Sequence, residues 1–322
     1  HLLQPDPKLR GGLDAILQAL EKGYTGQINV SLHAPSTAPE TTVRPTLGVE
    51  LQGREGELHA LQDAFRRSQQ GELRMTLVEG ESGIGKSALV HEFVHRLQGE
   101  HSDVLVLRGR CYENEQVPYK AFDACMDGLT RALRRMPDAQ CRALMPARAA
   151  LIAQLFPVMG DVPAIAQAPR KGLSAEPTAR RLEAFRALSG LLGKLAVERP
   201  LVLVVDDLQW ADAESFRLLR ALFEGSDAPP LFVLATLRPR DEQDAATAAQ
   251  LDMVRGWVNT EVVSLTALAQ QEAQRLAAFL LGPGAPAQWL EALVRESHGH
   301  PLFLRELALY ARNGADSQQA AG

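Results

Sequence analysis

The sequence predicts an α/β fold: a parallel sheet flanked by helices, followed by a smaller unit that is helical throughout. Three observations carry that expectation. Short apolar runs recur at 73–78, 104–108, 201–205, 231–236 and 262–265, with helical spacing between them. Strands that alternate with helices imply parallel pairing, with helices on both faces. The first run leads directly into Gly80-Glu81-Ser82-Gly83-Ile84-Gly85-Lys86-Ser87, which fits G-x-x-x-x-G-K-[ST], and that octapeptide leads directly into a helix. From 266 to 312 the apolar positions keep helical spacing with no strand-like run.

The chain opens at His1 rather than Met and is expected to be a piece of a longer protein. Within residues 1–22, Asp6-Pro7-Lys8-Leu9-Arg10 precedes a short amphipathic helix at 13–20. This resembles the end of the protein kinase fold, where D-P-x-x-R comes before the final helix, although Gly11 stands where that family usually has proline. The chain carries no catalytic kinase motif, so phosphorylation of protein by that route is not expected of it. Residues 23–46 read as a flexible linker, rich in Gly, Ser, Thr and Pro and without periodicity. The main domain is expected over 47–265. Gly53-Arg54-Glu55 opens a helix to about residue 69 that buries Leu58, Leu61 and Phe65. The helix after the octapeptide, 88–97, sets Leu89, Val90, Phe93, Val94 and Leu97 on one face. Residues 118–156 read as mainly helical. Residues 157–175, punctuated by Pro157, Pro163, Pro169 and Gly172, read as loop. A helix at 178–197 leads into the strand 201–205. A helical lid is expected at 266–313 and a tail of small residues at 314–322.

Composition narrows the function classes. Of 322 residues, 46% are hydrophobic and 23% charged, the balance of an ordinary globular protein. The net charge of −5 argues against a general nucleic-acid surface. No apolar run approaches the roughly 18 residues that span a bilayer. Cys111, Cys125 and Cys141 lack C-x-x-C spacing, which suggests reduced thiols in a cytoplasmic setting rather than a disulfide frame or a zinc site.

The octapeptide has a physical reading. Glycines let the backbone curl, so that its N–H groups converge on an anion. The N-terminus of the following helix adds free donors and a favourable dipole. Nucleotide phosphates are therefore the expected ligand of Gly80, Ser82, Gly83, Ile84, Gly85 and Ala88. Lys86 is expected to reach the β- and γ-phosphates and Ser87 to hold Mg²⁺. The other half of the site is Leu201-Val202-Leu203-Val204-Val205-Asp206-Asp207: five apolar residues for a buried strand, with two carboxylates at its C-terminal end, where ligands bind in open α/β sheets. Asp206 is the expected Mg²⁺-side carboxylate, because Mg²⁺ keeps several waters and needs few protein oxygens. Asp207 is expected to orient or deprotonate the attacking water.

Four further stretches fall in a fixed order: Gly53-Arg54-Glu55-Gly56-Glu57-Leu58, Asp206-Asp207-Leu208-Gln209-Trp210-Ala211-Asp212, Thr236-Leu237-Arg238, and Gly299-His300-Pro301-Leu302-Phe303-Leu304. With the octapeptide, they make residues from about 49 to 310 resemble the AAA-type regulatory ATPases of the STAND class, P-loop NTPases found in LuxR-type transcription regulators and in some bacterial serine/threonine kinases. The resemblance implies a slowly hydrolysing switch that uses ATP, ADP and Mg²⁺. It implies a γ-phosphate sensor at Arg238 and an apolar face for adenine at Pro301. Arg54 is expected either to contact nucleotide or to pair with a carboxylate on its own helix, and Trp210 to pack. Many hydrolysing relatives carry Glu where this chain has Asp207, which implies slow turnover. No trans-acting arginine finger is evident, which disfavours a ring-forming motor. The implied partners are flanking domains of the same chain and, in a nucleotide-dependent way, a second copy. Neither a membrane nor direct nucleic-acid binding is expected. A module of a LuxR-type regulator and a non-hydrolysing nucleotide-bound scaffold stay open as alternatives.

Overall fold

The computed structural model describes residues 51–115, 117–170, 174–224 and 228–319, with side chains through 312. The kinase-like segment, the linker and the last three residues lie outside the described residues. What is described falls into two compact units, one of them Arg54–Thr266 and the other formed mainly by the helices that follow Ala267.

The first unit is built on a five-stranded parallel sheet: β1 Arg74–Glu79, β2 Leu105–Arg110, β3 Leu201–Asp206, β4 Phe232–Leu237 and β5 Thr260–Ser264, in the order β2-β3-β4-β1-β5. Burial explains the composition of each strand. β4 is buried along its whole length and β3 up to Asp206, so both are Leu/Val/Phe/Ala runs, interrupted in β4 only by Thr236. The edge strands β2 and β5 alternate with exposed positions and carry Arg108, Arg110 and Glu261.

Among the described residues the longer helices of this unit are α1 Glu55–Ser68, α2 Lys86–Glu100, α3 Lys120–Arg134, α4 Asp138–Leu144, α5 Pro177–Glu198, α6 Ala213–Glu224 and α7 Ala245–Arg255. Successive strand side chains point to opposite faces. Accordingly, Phe232 meets Phe65 of α1 and Phe93 of α2, edge to face at 6.1 and 5.9 Å, while Val233, Ala235 and Leu237 join Phe122, Met126, Leu188 and Leu219 in the large core. The face predicted for the helix after the octapeptide is the buried one: Leu89, Val90, Phe93, Val94 and Leu97.

The loop expected at 157–175 is corrected in part. Pro157–Asp161 is a 3-10 helix and Pro163–Ala166 a short α-helix, with Met159 and Ile165 buried. Each begins on a proline, whose fixed φ and missing N–H suit the first position of a helix, so the prolines start these turns instead of preventing them. Two helices that periodicity did not single out, α6 and α7, carry their own start signals. Asp212 accepts from Glu214 N–H at 3.1 Å, and Asp244 accepts from Ala246 and Thr247 N–H at 3.0 Å each.

The second unit contains α8 Gln270–Leu281, α9 Ala287–Ser297 and α10 Pro301–Gln319, packed through Leu268, Ala273, Ala277 and Leu304. The α9–α10 turn explains the glycine of the G-H-P element. Gly299 has φ +74°, and a Cβ there would sit 2.4 Å from the Leu268 carbonyl oxygen. Pro301 is the first residue of α10, and the neighbouring His300 ring stacks on Phe303 at 4.4 Å.

Candidate phosphate-binding site at the strand ends

The strand order brings distant sequence segments together. β3, β4 and β1 are consecutive neighbours in the sheet, so Asp206-Asp207, Thr236-Leu237-Arg238 and the glycine loop leave adjacent strands at the same C-terminal edge.

The loop after β1 supports itself. Gly83 and Gly85 have φ of +81° and +105°, conformations that glycine adopts without the steric cost of a Cβ. A Cβ on Gly80 would lie 2.8 Å from Ile84 Cγ2 and 2.9 Å from the Leu265 carbonyl oxygen, so that position also requires glycine. Lys86 is buried at the start of α2, and its Nζ donates to the carbonyls of Gly80 at 2.6 Å and Glu81 at 2.9 Å. Burial is the largest influence on its ammonium and pulls its pKa below the usual lysine value; Arg238 acts in the same sense, while Asp207, Glu242 and Asp206 oppose it. No side chain caps the N-terminus of α2 and its first turn carries no acid, while Ser87 and Ala88 are exposed there. The first-turn N–H groups of a helix have no intrahelical acceptor, so this cradle fits an anion.

Arg54 lies beneath the loop. Its side chain is buried, and its Nη1 donates to Glu57 at 2.9 Å. Its Nη2 donates to the Thr266 carbonyl at 2.5 Å and, more weakly, to Ile84 of the loop at 3.4 Å. Of its two expected roles, the pairing with a carboxylate of its own helix is therefore present. The carbonyl contacts to Ile84 of the loop and to Thr266 after β5 were not foreseen.

At the acidic end, one hydroxyl ties the carboxylates together. Thr236 Oγ1 donates to Asp206 Oδ1 at 3.0 Å and accepts the Asp207 N–H at 2.9 Å. Burial pushes the Asp206 carboxyl above the usual carboxylate range; the Thr236 hydroxyl opposes that shift, and the charge of Asp207 adds to it. A half-desolvated carboxylate of this kind gains from a cation placed against it. Among the described residues no group of three or more His, Cys, Asp or Glu forms a metal cage. Mg²⁺ held jointly with phosphate oxygens needs none.

Asp207 has φ +58°, in the left-handed region. Its Oδ2 accepts from Arg110 Nε at 3.1 Å, and its Oδ1 accepts from Gln209 Nε2 at 3.2 Å. Arg238 leaves β4 with its guanidinium 5.6 Å from the Trp210 ring centroid and 3.8 Å from Glu242. Trp210, expected only to pack, is also half of a cation–π pair. The last residue of that motif, Asp212, is a double cap: it accepts from Tyr119 and Lys120 N–H at the start of α3, at 3.1 and 3.2 Å, as well as from α6.

Sequence reasoning passed over Arg110, Gln209 and Glu242. Arg110 comes from β2 and contacts Asp207 97 residues away, so no local pattern announces it. Gln209 fell on a variable position of the motif.

The AAA ATPase domain family profile matches residues 50–234, a stretch that ends within β4. An uncharacterized protein of Rhizobium meliloti (strain 1021) is 26% identical over 290 residues, covering 84% of this chain and 26% of that protein. A hybrid signal transduction histidine kinase of Dictyostelium discoideum is 24% identical over 188 residues, 57% of this chain and 5% of that protein. The chain thus spans about a quarter of the length of the first of these curated relatives and a twentieth of the second. Among solved structures, Drosophila ORC bound to DNA superposes with a TM-score of 0.52 at 14% identity, over 96% of this chain and 69% of that one, a likeness of fold.

Proposed function

The chain belongs to the AAA ATPase domain family, and from that premise we propose that it is an ATP-binding, slowly hydrolysing switch module of the STAND type, working inside a larger signalling protein. The observation that carries this reading is the adjacency of β3, β4 and β1, which gathers a glycine cradle, two carboxylates and an arginine at one edge of the sheet. Lys86, Ser87 and the loop N–H groups bind phosphate. Asp206 and Ser87 are the residues that would hold Mg²⁺, which supplies positive charge to the phosphate oxygens when bound. Asp207 orients the attacking water. Arg238 reads whether a γ-phosphate is present, because a fixed guanidinium pairs well with phosphate oxygens. Nucleotide-dependent ordering of segments by a γ-phosphate is a known form of switching. The output is a change in the helices after Thr266 and in flanking domains.

For the parent protein the favoured reading is a bacterial serine/threonine kinase, supported by Asp6-Pro7-Lys8-Leu9-Arg10 ahead of the module. The match to a histidine kinase of Dictyostelium fits the same kind of use, a module carried by a signalling kinase. Turnover measured across protein concentrations tests the proposal. A slow rate independent of concentration supports the switch. A rate that rises steeply with assembly points to a motor, and no turnover with tight nucleotide binding points to a scaffold. Lys86→Ala is the control: loss of a charge-assisted contact worth about 1.5–3 kcal/mol should weaken ATP and ADP binding roughly 10–150-fold. Unchanged affinity in a folded variant would remove the site itself.

A further inference from the structure

We infer that Gln209 is a positioning residue that couples Asp207 to Arg238, so that the orientation of one carboxylate sets the placement of the arginine. The inference rests on the roles proposed above for those two residues. Gln209 is 4% exposed, and its side-chain amide is used at both ends. Nε2 donates to Asp207 Oδ1 at 3.2 Å, and Oε1 accepts the Arg238 N–H at 3.3 Å. Only one orientation of the amide satisfies both contacts; the flipped one sets oxygen against carboxylate and NH₂ against N–H.

The geometry around the amide makes this bridge consequential. Gln209 sits in the one-turn 3-10 helix Leu208–Trp210. The next residue, Trp210, lies against the Arg238 guanidinium. The same turn therefore holds Arg238 twice, at its backbone and at its charged end. Asp207 occupies the left-handed region, where non-glycine residues are sparse, so its direction depends on its partners. Movement of its carboxylate breaks the Gln209 contact and frees the backbone of Arg238. Few side chains serve both ends. Glutamate sets like charge against Asp207, asparagine is one carbon short, and leucine has no polar atom.

The 322-residue chain with Trp257→Phe and Trp289→Phe keeps Trp210 as its single tryptophan, and the emission of Trp210 reports the cation beside its ring. Asp207→Ala should shift that emission when Gln209 is present and leave it in place in a Gln209→Leu background. In a separate assay, with all three tryptophans kept, Gln209→Leu should lower kcat for ATP about tenfold relative to the unaltered chain, the worth of one hydrogen bond to a charged group, with KM changed less than about twofold. If Gln209→Leu does not fold, as judged by circular dichroism, the same cycle is run with Gln209→Glu. An equal Trp210 shift with and without Gln209, or no shift in either, overturns the coupling. Absence of turnover in the unaltered chain overturns the water-orienting role of Asp207 instead, and the fluorescence cycle still decides the coupling.

Discussion

The lysine of the loop after β1 bonds within its own loop, whereas the carboxylates after β3 are held from neighbouring strands. Lys86 bonds to Gly80 and Glu81, six and five residues away. Asp206 and Asp207 depend on Thr236 from β4, and Asp207 also on Arg110 from β2. Removing the Lys86 side chain breaks bonds only inside the loop. A networked carboxylate transmits any change to β2 and β4. On the proposed reading, phosphate binding is local to the loop, while a response to hydrolysis runs through β2 and β4.

The sharpest way to break that contrast is at Asp207. Asp207→Asn keeps the side chain's shape and removes its charge, so ATP should still bind, while hydrolysis falls about 10²–10⁴-fold, the usual worth of general acid–base catalysis. Asp206→Ala should do the reverse and weaken Mg²⁺-dependent binding. Single-turnover rates and nucleotide titrations separate the two. A wild-type rate in Asp207→Asn would assign water orientation to another residue.

Arg238 should give a smaller and more selective effect. A γ-phosphate sensor touches ATP but not ADP, and a ligand shifts a two-state equilibrium only through differential affinity. Arg238 is partly exposed and already faces Glu242. The expected loss in Arg238→Ala is therefore near the low end for a charge-assisted contact, about tenfold in the ratio of ATP to ADP affinity. Hydrogen exchange over 266–312 should then differ less between ATP and ADP. Equal losses for both nucleotides, with the exchange pattern unchanged, would make Arg238 a structural residue.

The same contrast explains what the sequence made legible. The octapeptide could be read because its chemistry lies within eight consecutive residues, and β3 because a buried parallel strand is an uninterrupted apolar run. The α2 face was legible because helical spacing records burial directly. Arg110 and the bridging amide of Gln209 were not, since each draws its meaning from a partner that only strand order supplies. Asp212 was visible as a motif residue, but its double capping of α3 and α6 was not, because Tyr119 lies 93 residues upstream. The prolines at 157 and 163 misled for a different reason: they break a helix interior but start a helix well.

The smallest expected effect probes the packing under the acidic end. Cys111 follows β2 directly, its N–H donates to the Asp206 carbonyl at 2.9 Å, and burial pushes its thiol up to about 12. Cys125 is buried beside it and shifted in the same direction, and all three cysteines are free. A thiol held protonated in the folded chain but ionising at an ordinary value when unfolded makes the unfolded state bind fewer protons. Stability therefore declines as pH rises past the ordinary thiol range, and the decline continues up to the folded value. By pH 10 the loss should be on the order of 1 kcal/mol for each such thiol. Thermal unfolding between pH 8 and 10 should thus fall more steeply for the unaltered chain than for Cys111→Ala, whatever the two midpoints are at pH 7. Parallel slopes would mean that water reaches Cys111 in the folded state. The carboxylates above it would then rest on looser packing than the loop after β1.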